Sequence, residues 1–385
     1  MNQNNLFKIV SLLISSLFYF TSCAQEMEYA IPPGQFSRIQ PMSEGLLSVK
    51  TKRDGLYGFI NAAGEWKIPA QYNLSSPFSE GFASVVPAGA DLYGYINKTG
   101  KLVIEPGYKD TRPFSCGRAI VWIPGDKGWA CINTNGKIIF TAESIKAEPT
   151  SMPYMFKEGL LEVFQADKDN NFRHGFADTA GRLVIPYQYS NTFYFSDSVA
   201  VVTVTKKTGN QNEGDEYHAI IDKKGNTLFT IANNINEVTI FKKGIARFLA
   251  DGHYGLVNKK GTIRLAPRFD RLPPDYDGGP LWGIIRGKAG DSKDGFLYLL
   301  DSNFTETGKL LLYAAGKRIT GTEGNFSEGL LAVRQDDLWG YVDTKGKWII
   351  PPQFTEAGQF NEGLAIVSNS EDSVSIIKNP LSSSK

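Results

Sequence analysis

The sequence has few of the residues that most often carry chemistry. Three histidines and three cysteines are spread over 385 residues. Gly-x-Gly occurs nowhere, so no dinucleotide-binding fingerprint is present. No Gly-Lys is followed by Ser or Thr, which excludes a phosphate-binding P-loop. There is likewise no G-x-S-x-G and no H-E-x-x-H. Charge of one sign is also missing: 41 Lys and Arg stand against 40 Asp and Glu, a net +1. With no overall basic field, steering toward nucleic acid or anionic lipid is not expected. At 42% hydrophobic and 21% charged residues, the chain fits neither a disordered nor a multi-span membrane composition.

Glycine and aromatic residues are plentiful, at 39 Gly and 12% Phe, Trp and Tyr. Together they indicate many short strands joined by tight turns, since Gly supplies positive φ and aromatics suit a pleated, packed surface.

The first residues are polar, Lys8 follows, and 9–20 is an uncharged apolar run. Such a run is too short for a stable membrane anchor and reads as an export signal. Thr21-Ser22-Cys23 resembles a bacterial lipobox, in which the cysteine receives a diacylglycerol before cleavage. Phe20 stands where a lipobox usually has Leu. A second cleavage site, after Ala24, fits the small-x-small rule with Ser22 and stays open as the alternative. Lipidation at Cys23 implies an outer-membrane lipoprotein, periplasmic or at the cell surface; cleavage after Ala24 implies a soluble secreted or periplasmic protein. Glu26 and Glu28 resemble the acidic signals that send some Bacteroidetes lipoproteins to the surface. Of the remaining cysteines, Cys116 and Cys131 lie 15 residues apart (131 minus 116). In an oxidising compartment they are a possible disulfide, and two buried apolar thiols are the alternative.

Self-comparison outweighs every local signal. The chain reads Phe326-Ser-Glu-Gly-Leu-Leu-Ala-Val333, then Leu338-Trp-Gly-Tyr-Val-Asp343, then Thr344-Lys-Gly-Lys-Trp-Ile-Ile-Pro-Pro352, and begins again at Phe360. Openings fall at Met42, Phe78, Phe114, Phe156, Phe195, Phe241, Tyr276, Phe326 and Phe360, with spacings of 36, 36, 42, 39, 46, 35, 50 and 34. After the Asp or Asn that ends the middle segment, seven copies place a Gly three residues on, from Gly64 to Gly346. That pattern predicts a hairpin closed by a type I turn with a left-handed Gly. Each unit of about 36–40 residues therefore predicts three antiparallel strands, near 330–333, 339–342 and 348–350 in the best copy. The first and third are apolar on both faces, so the small sheets must stack.

These strings, F-x-E-G-L, W/Y-G-Y/F-I/V-D/N and G-K-x-x-I-P-P, resemble the WG-repeat family across roughly 31–377. At the middle-strand position of the repeat the Trp-Gly pair itself is intact only at Trp339-Gly340. His takes the aromatic place at 174 and 218, Ser198 replaces a Gly, and the unit from Tyr276 is strongly diverged. The resemblance implies a bacterial envelope or secreted repeat protein and carries over no catalytic residue.

The expected organisation is a signal peptide over 1–22 with its lipobox ending at Cys23, a linker with a partial strand over 24–35, the array over 36–377 and a disordered tail over 378–385. Ile31-Pro-Pro-Gly-Gln-Phe36 matches Ile350-Pro-Pro-Gln-Phe354 with one insertion, so the mature chain opens with a third strand that lacks its first two. The last unit ends after its second strand. A propeller-like ring closed by that N-terminal strand is the expected all-β architecture, and an open β-superhelix the alternative.

Functional candidates are weighed against the repeat. His174, His218 and His253 follow the repeat spacing and no metal-ligand pattern, and no cofactor is expected. Glu44, Glu80, Glu158, Glu328 and Glu362 recur once per unit, as a turn or backbone-bonding residue would. Extra residues at 165–173, 206–216 and 286–294 fall at one equivalent point and so map to one rim, where repeat proteins often bind. The expectation is a non-enzymatic exported protein that binds a protein or glycan partner through the loop rim or a groove between units. An envelope polysaccharide hydrolase and a structural spacer of an envelope complex are the alternatives.

Overall fold

The structure, a computed structural model, describes residues 28–382 apart from 53, 126, 206–215, 232–234, 287–294 and 371–372. In the best-preserved unit the three expected strands are Leu330–Gln335, Leu338–Asp343 and Trp348–Phe354, paired antiparallel in chain order. Two blades are three-stranded sheets as expected, and the others have a further strand. A short strand preceding the F-x-E-G turn pairs with the free side of the first strand, as Asp110–Thr111, Asn191–Thr192 and Glu356–Ala357 do in their units. At two to four residues these edge strands are too brief to show a hydrophobic period. One of them is continuous with the third strand of the unit before it: in Trp66–Ser75, Tyr72 faces Tyr57 on one side and Pro87 on the other.

We number the units as blades 1 to 9 by their first strands: Leu47–Thr51, Phe82–Pro87, Arg118–Trp122, Leu160–Ala166, Val199–Thr205, Ile245–Ala250, Leu281–Ile285, Leu330–Gln335 and Leu364–Ser368. Alternation along each first strand sends successive side chains to opposite faces, and both faces are apolar. Leu330 and Ala332 pack toward blade 9, whereas Leu331 and Val333 pack toward blade 7. Each blade thus shares one apolar cluster with the blade before it and another with the blade after. Phe59 and Val85 join blades 1 and 2, and Ile120 and Leu161 join blades 3 and 4.

The series closes. Tyr29–Ile31 pairs with Val374–Lys378 and completes the last blade as the third strand it lacks. Leu364 and Ile376 of blade 9 share a cluster with Leu47, Val49 and Ile60 of blade 1. Asn361 donates from Nδ2 to the Met42 carbonyl at 2.9 Å, across 319 residues. The array is a propeller-like ring of nine blades in eight antiparallel sheets, blades 1 and 2 sharing one sheet of seven strands, and among the described residues no single sheet closes on itself.

One further expectation needs correcting. Residues 379–382 are docked, not a loose tail: Asn379 is 2% exposed and bonds the carbonyls of Gly363 and Glu328, and Leu381 lies against Gly329. The polar sequence hides this because the contacts are to backbone. The strongly diverged unit from Tyr276 accounts for the 50-residue spacing to Phe326. It contains a full blade plus an added turn between Tyr313–Ala314 and the start of Lys317–Ser327.

The Gly of the Trp-Gly pair has a steric cause. In blades 1, 2, 4, 6 and 8 the third strand carries proline and bulges, so that three of its residues oppose one Gly; residues 351–353 face Gly340 in this way, between the pairs Trp339↔Phe354 and Tyr341↔Ile350. A Cβ on Gly340 would lie 2.5 Å from the Ile350 carbonyl oxygen and 2.7 Å from the Pro352 nitrogen. Blades 3, 5 and 7 lack that proline and carry Ala130, Ala219 and Tyr298 instead, each paired to one residue of the third strand, whose register shifts only further along. Gly340→Ala is therefore expected to destabilise the ring by roughly 1–3 kcal/mol through overpacking against backbone. Ala219→Gly removes no such clash and should cost about 1 kcal/mol at most. Denaturant unfolding of the two variants measures the difference.

Candidate functional site

The strand directions give the ring two rims. One carries the F-x-E-G turns and the D/N-x-x-G hairpins; the other carries the hairpins between first and second strands. On the first rim Glu44, Glu80, Glu158, Glu328 and Glu362 all sit at φ of 51–54°, each followed by a Gly that is also left-handed, as a two-residue type I′ turn demands. A non-Gly residue there costs roughly 1–2 kcal/mol, and Asn or Gly would be the usual choice. Glutamate is used because its carboxylate reaches the next blade. Glu80 accepts from the Cys116 and Gly117 N–H groups at 2.7 and 2.8 Å. Glu44, Glu158 and Glu328 accept from Gly81, Ser198 and Gly363 in the same way. Asp197 does so toward Gly244. Beside this ladder, Ser43, Ser79 and Ser115 each donate to the carbonyl of the next blade's opening aromatic at 2.7 Å. Lys98 and Lys223 pair with Glu44 and Glu158 at 3.0 and 2.9 Å.

The hairpins beside them follow the expected geometry in eight copies. The Asx side chain accepts two backbone N–H groups, as Asp222 does from Lys224 and Asn226 at 2.9 Å, and a left-handed residue closes the turn. In blade 7 that residue is Phe304, at φ 67°. The Asn226 side-chain amide, aided by those N–H groups, holds the Asp222 carboxyl below its ordinary value of 3.8. Partial burial pulls Asp178 the other way, but the Arg182 and Ala180 N–H groups and the Arg182 side chain win and leave it lowered too.

The histidines lie in three consecutive blades and each has its own partner. Nδ1 of His174 is 3.0 Å from Glu162, that of His218 is 3.1 Å from Thr203, and that of His253 is 3.6 Å from Asp270. Among the described residues no three His, Cys, Asp or Glu side chains are placed to hold a metal ion. The possible disulfide is absent: both thiols are free. Cys131 is buried between blades 3 and 4, where desolvation pushes its thiol up to about 12, whereas Cys116 occupies the exposed turn position that glutamate holds elsewhere. Cys23 lies outside the described residues.

The second rim carries the insertions. Residues 165–173 do not form a separate loop; they lengthen a hairpin whose strands are Leu160–Ala166 and Phe172–Asp178, with Arg173 bonded to Asp167 at 2.9 Å. Most of the other two insertions, 206–215 and 287–294, lie outside the described residues. Near this rim, between the edge strands of blades 8 and 9, opens a groove of about 530 Å³. Its walls are Glu323 on one side and Thr355, Glu356 and Gly358 on the other, with Arg334 and Trp339 between them. The groove exists because side chains are missing: Gly321, opposite Arg334, lies against the Trp339 ring, whereas the edge strands of blades 1 and 2 carry Arg38 and Leu74 at positions paired to their first strands. The Arg334 Nε is buried without a hydrogen-bond partner, while its guanidinium pairs with Asp337 at 3.3 Å.

Sequence reasoning missed this groove. Its signal was available in Gly321-Thr-Glu-Gly-Asn325, which departs from the Pro-containing approach at Pro41, Pro77 and Pro113. The repeat marks the residues that recur, and the groove is made by those that do not.

Six stretches match the WG containing repeat family: 57–86, 93–121, 175–207, 254–279, 324–339 and 339–371. No curated protein matches the chain. Among solved structures, a eukaryotic initiation factor is similar at a TM-score of 0.50 and 10% identity, over 81% of this chain and 86% of that one. An uncharacterised protein of Listeria monocytogenes has a TM-score of 0.39 at 12% identity, over 84% and 97% of the two chains. AztD of Citrobacter koseri has 0.37 at 12%, over 83% and 92%. At 10% identity the likeness to the initiation factor is one of fold.

Glu80→Ala is expected to remove two charge-assisted bonds across one interface and cost about 1–3 kcal/mol, whereas Glu362→Ala, whose carboxylate reaches no neighbouring turn, should cost less. Thermal unfolding compares them. The lowered carboxyls of Asp178 and Asp222 contribute stability that is present above pH 3.8 and lost as pH falls through their folded values. Replacing both by Asn, which fills the same turn at Asn97 and Asn133, should leave the midpoint at pH 7 little changed and reduce its fall on acidification to pH 3. An equal fall in the variant would remove these two groups from the acid response.

Proposed function

We propose that the chain is an exported WG-repeat protein of the bacterial envelope, anchored through Cys23, that acts by binding a partner and not by catalysis. The observation that carries this reading is how differently the recurrent and the non-recurrent polar residues are used. The glutamates, serines and Asx residues of the repeat are spent holding turn to turn and blade to blade. Blades 8 and 9 depart from the repeat at their edge strands and leave Trp339, Glu323 and Glu356 lining an open groove. A rigid ring with one irregular groove beside a rim of hairpins is an arrangement suited to recognition. Export rests on the apolar run 9–20 and on Thr21-Ser22-Cys23.

One observation favours a second reading, a polysaccharide hydrolase: Glu323 and Glu356 face the same groove, and glycoside hydrolysis uses two carboxylates across a scissile bond. The tests separate these readings. Mass spectrometry of the membrane-extracted protein is expected to find a diacylated N-terminus at Cys23, and a free Gln25 would refute the anchor. Incubation with envelope polysaccharide is expected to release no reducing ends. Release that is lost in both Glu323→Gln and Glu356→Gln would make the protein an enzyme.

A further inference from the structure

We propose that the groove between blades 8 and 9 is a carbohydrate subsite that takes a neutral sugar ring on the face of Trp339. This deepens the binding reading above and rests on it. The indole is half-buried, with Gly321 beside its ring, so no edge-strand side chain covers it there. A flat apolar face exposed in a polar trough suits a ligand with one apolar face and a hydroxylated periphery, as a pyranose has.

The polar groups select the same chemistry. Glu323 and Glu356 are exposed and, among the described residues, form no ion pair or side-chain hydrogen bond, so both offer free acceptor oxygens. Arg334 offers the opposite: its side chain is 40% exposed and its guanidinium carries more N–H donors than the bond to Asp337 uses. A ligand that satisfies all three must both donate and accept within a few ångströms. Vicinal hydroxyls do both, whereas a lysine or arginine side chain only donates. Charge excludes the acidic alternatives: two unpaired carboxylates face one guanidinium already paired with Asp337, so a phosphate or uronate would enter against a net negative wall. At about 530 Å³ the groove is within the range of small-ligand sites, and it is open enough for a chain to enter along it.

The test uses the mature full-length protein with a panel of neutral hexasaccharides: gluco-, manno-, xylo-, galacto- and N-acetylglucosamine-based. Binding is read by calorimetry and by tryptophan fluorescence. At least one is expected to bind, with little dependence on salt and with a change in emission that disappears in Trp339→Phe. Glu323→Gln and Glu356→Gln are exposed substitutions expected to fold with unchanged thermal midpoints and to bind about tenfold more weakly. Trp339→Ala should bind more weakly still. If no member of the panel binds, the proposal is overturned. If one binds but none of the four variants changes its affinity, the groove is overturned as the site and the binding reading stands. Salt-sensitive binding of a lysine-rich peptide, lost in the Gln variants while the sugars show none, would assign the groove to a basic polypeptide.

Discussion

Everything in this molecule depends on blades that are apolar on both faces. A sheet of three or four short strands with Leu331 and Val333 on one side and Leu330 and Ala332 on the other cannot stand in water. Each blade must be covered twice, and in a linear array the two end blades would each leave a face bare. Closure removes both bare faces at once by setting Leu364 and Ile376 of blade 9 against Leu47 and Val49 of blade 1. The N-terminal strand Tyr29–Ile31, seated on the last blade, then ties the two ends of the chain into one sheet.

Within that constraint the recurring residues divide into two kinds. Apolar positions fill the interfaces, and polar ones join the turns. The Trp-Gly glycine belongs to neither: it is space reserved for a proline-bulged neighbouring strand, and Ala takes its place in blades 3 and 5, where the bulge is gone. Likewise the glutamate of the F-x-E-G turn tolerates a left-handed backbone because its carboxylate bonds the next blade's turn. Both features are strain or crowding at one position offset by contact with a segment far away in the unit or in the next one.

The same logic bears on the groove proposed for recognition. Where the repeated turn residues are engaged, exposed carboxylates without partners stand at the break in the repeat. Gly321 and Gly358 stand where side chains would otherwise fill the space between edge strands, and among the described residues Glu323 and Glu356 are left without side-chain partners around Trp339. The family resemblance, which depends on what recurs, has no means of pointing to such a place.

The sequence by itself determined the unit, its three longer strands, its Asx-Gly hairpins and the fact that the sheets must stack, because those follow from periodicity and turn chemistry within 40 residues. It also held the clue to closure, in the orphan third strand at Ile31-Pro-Pro. Only the tertiary structure decided that nine units complete a ring, that most of them carry an added edge strand, that Glu80 serves blade 3, that Cys116 and Cys131 stay apart and that 379–382 dock. All of these are contacts between segments far apart in the chain, and most run through backbone groups, which every residue possesses and no sequence pattern marks. The groove was out of reach for the same reason: a space made by absent side chains on two strands, 34 residues apart from Thr322 to Glu356, exists only once the strands lie side by side.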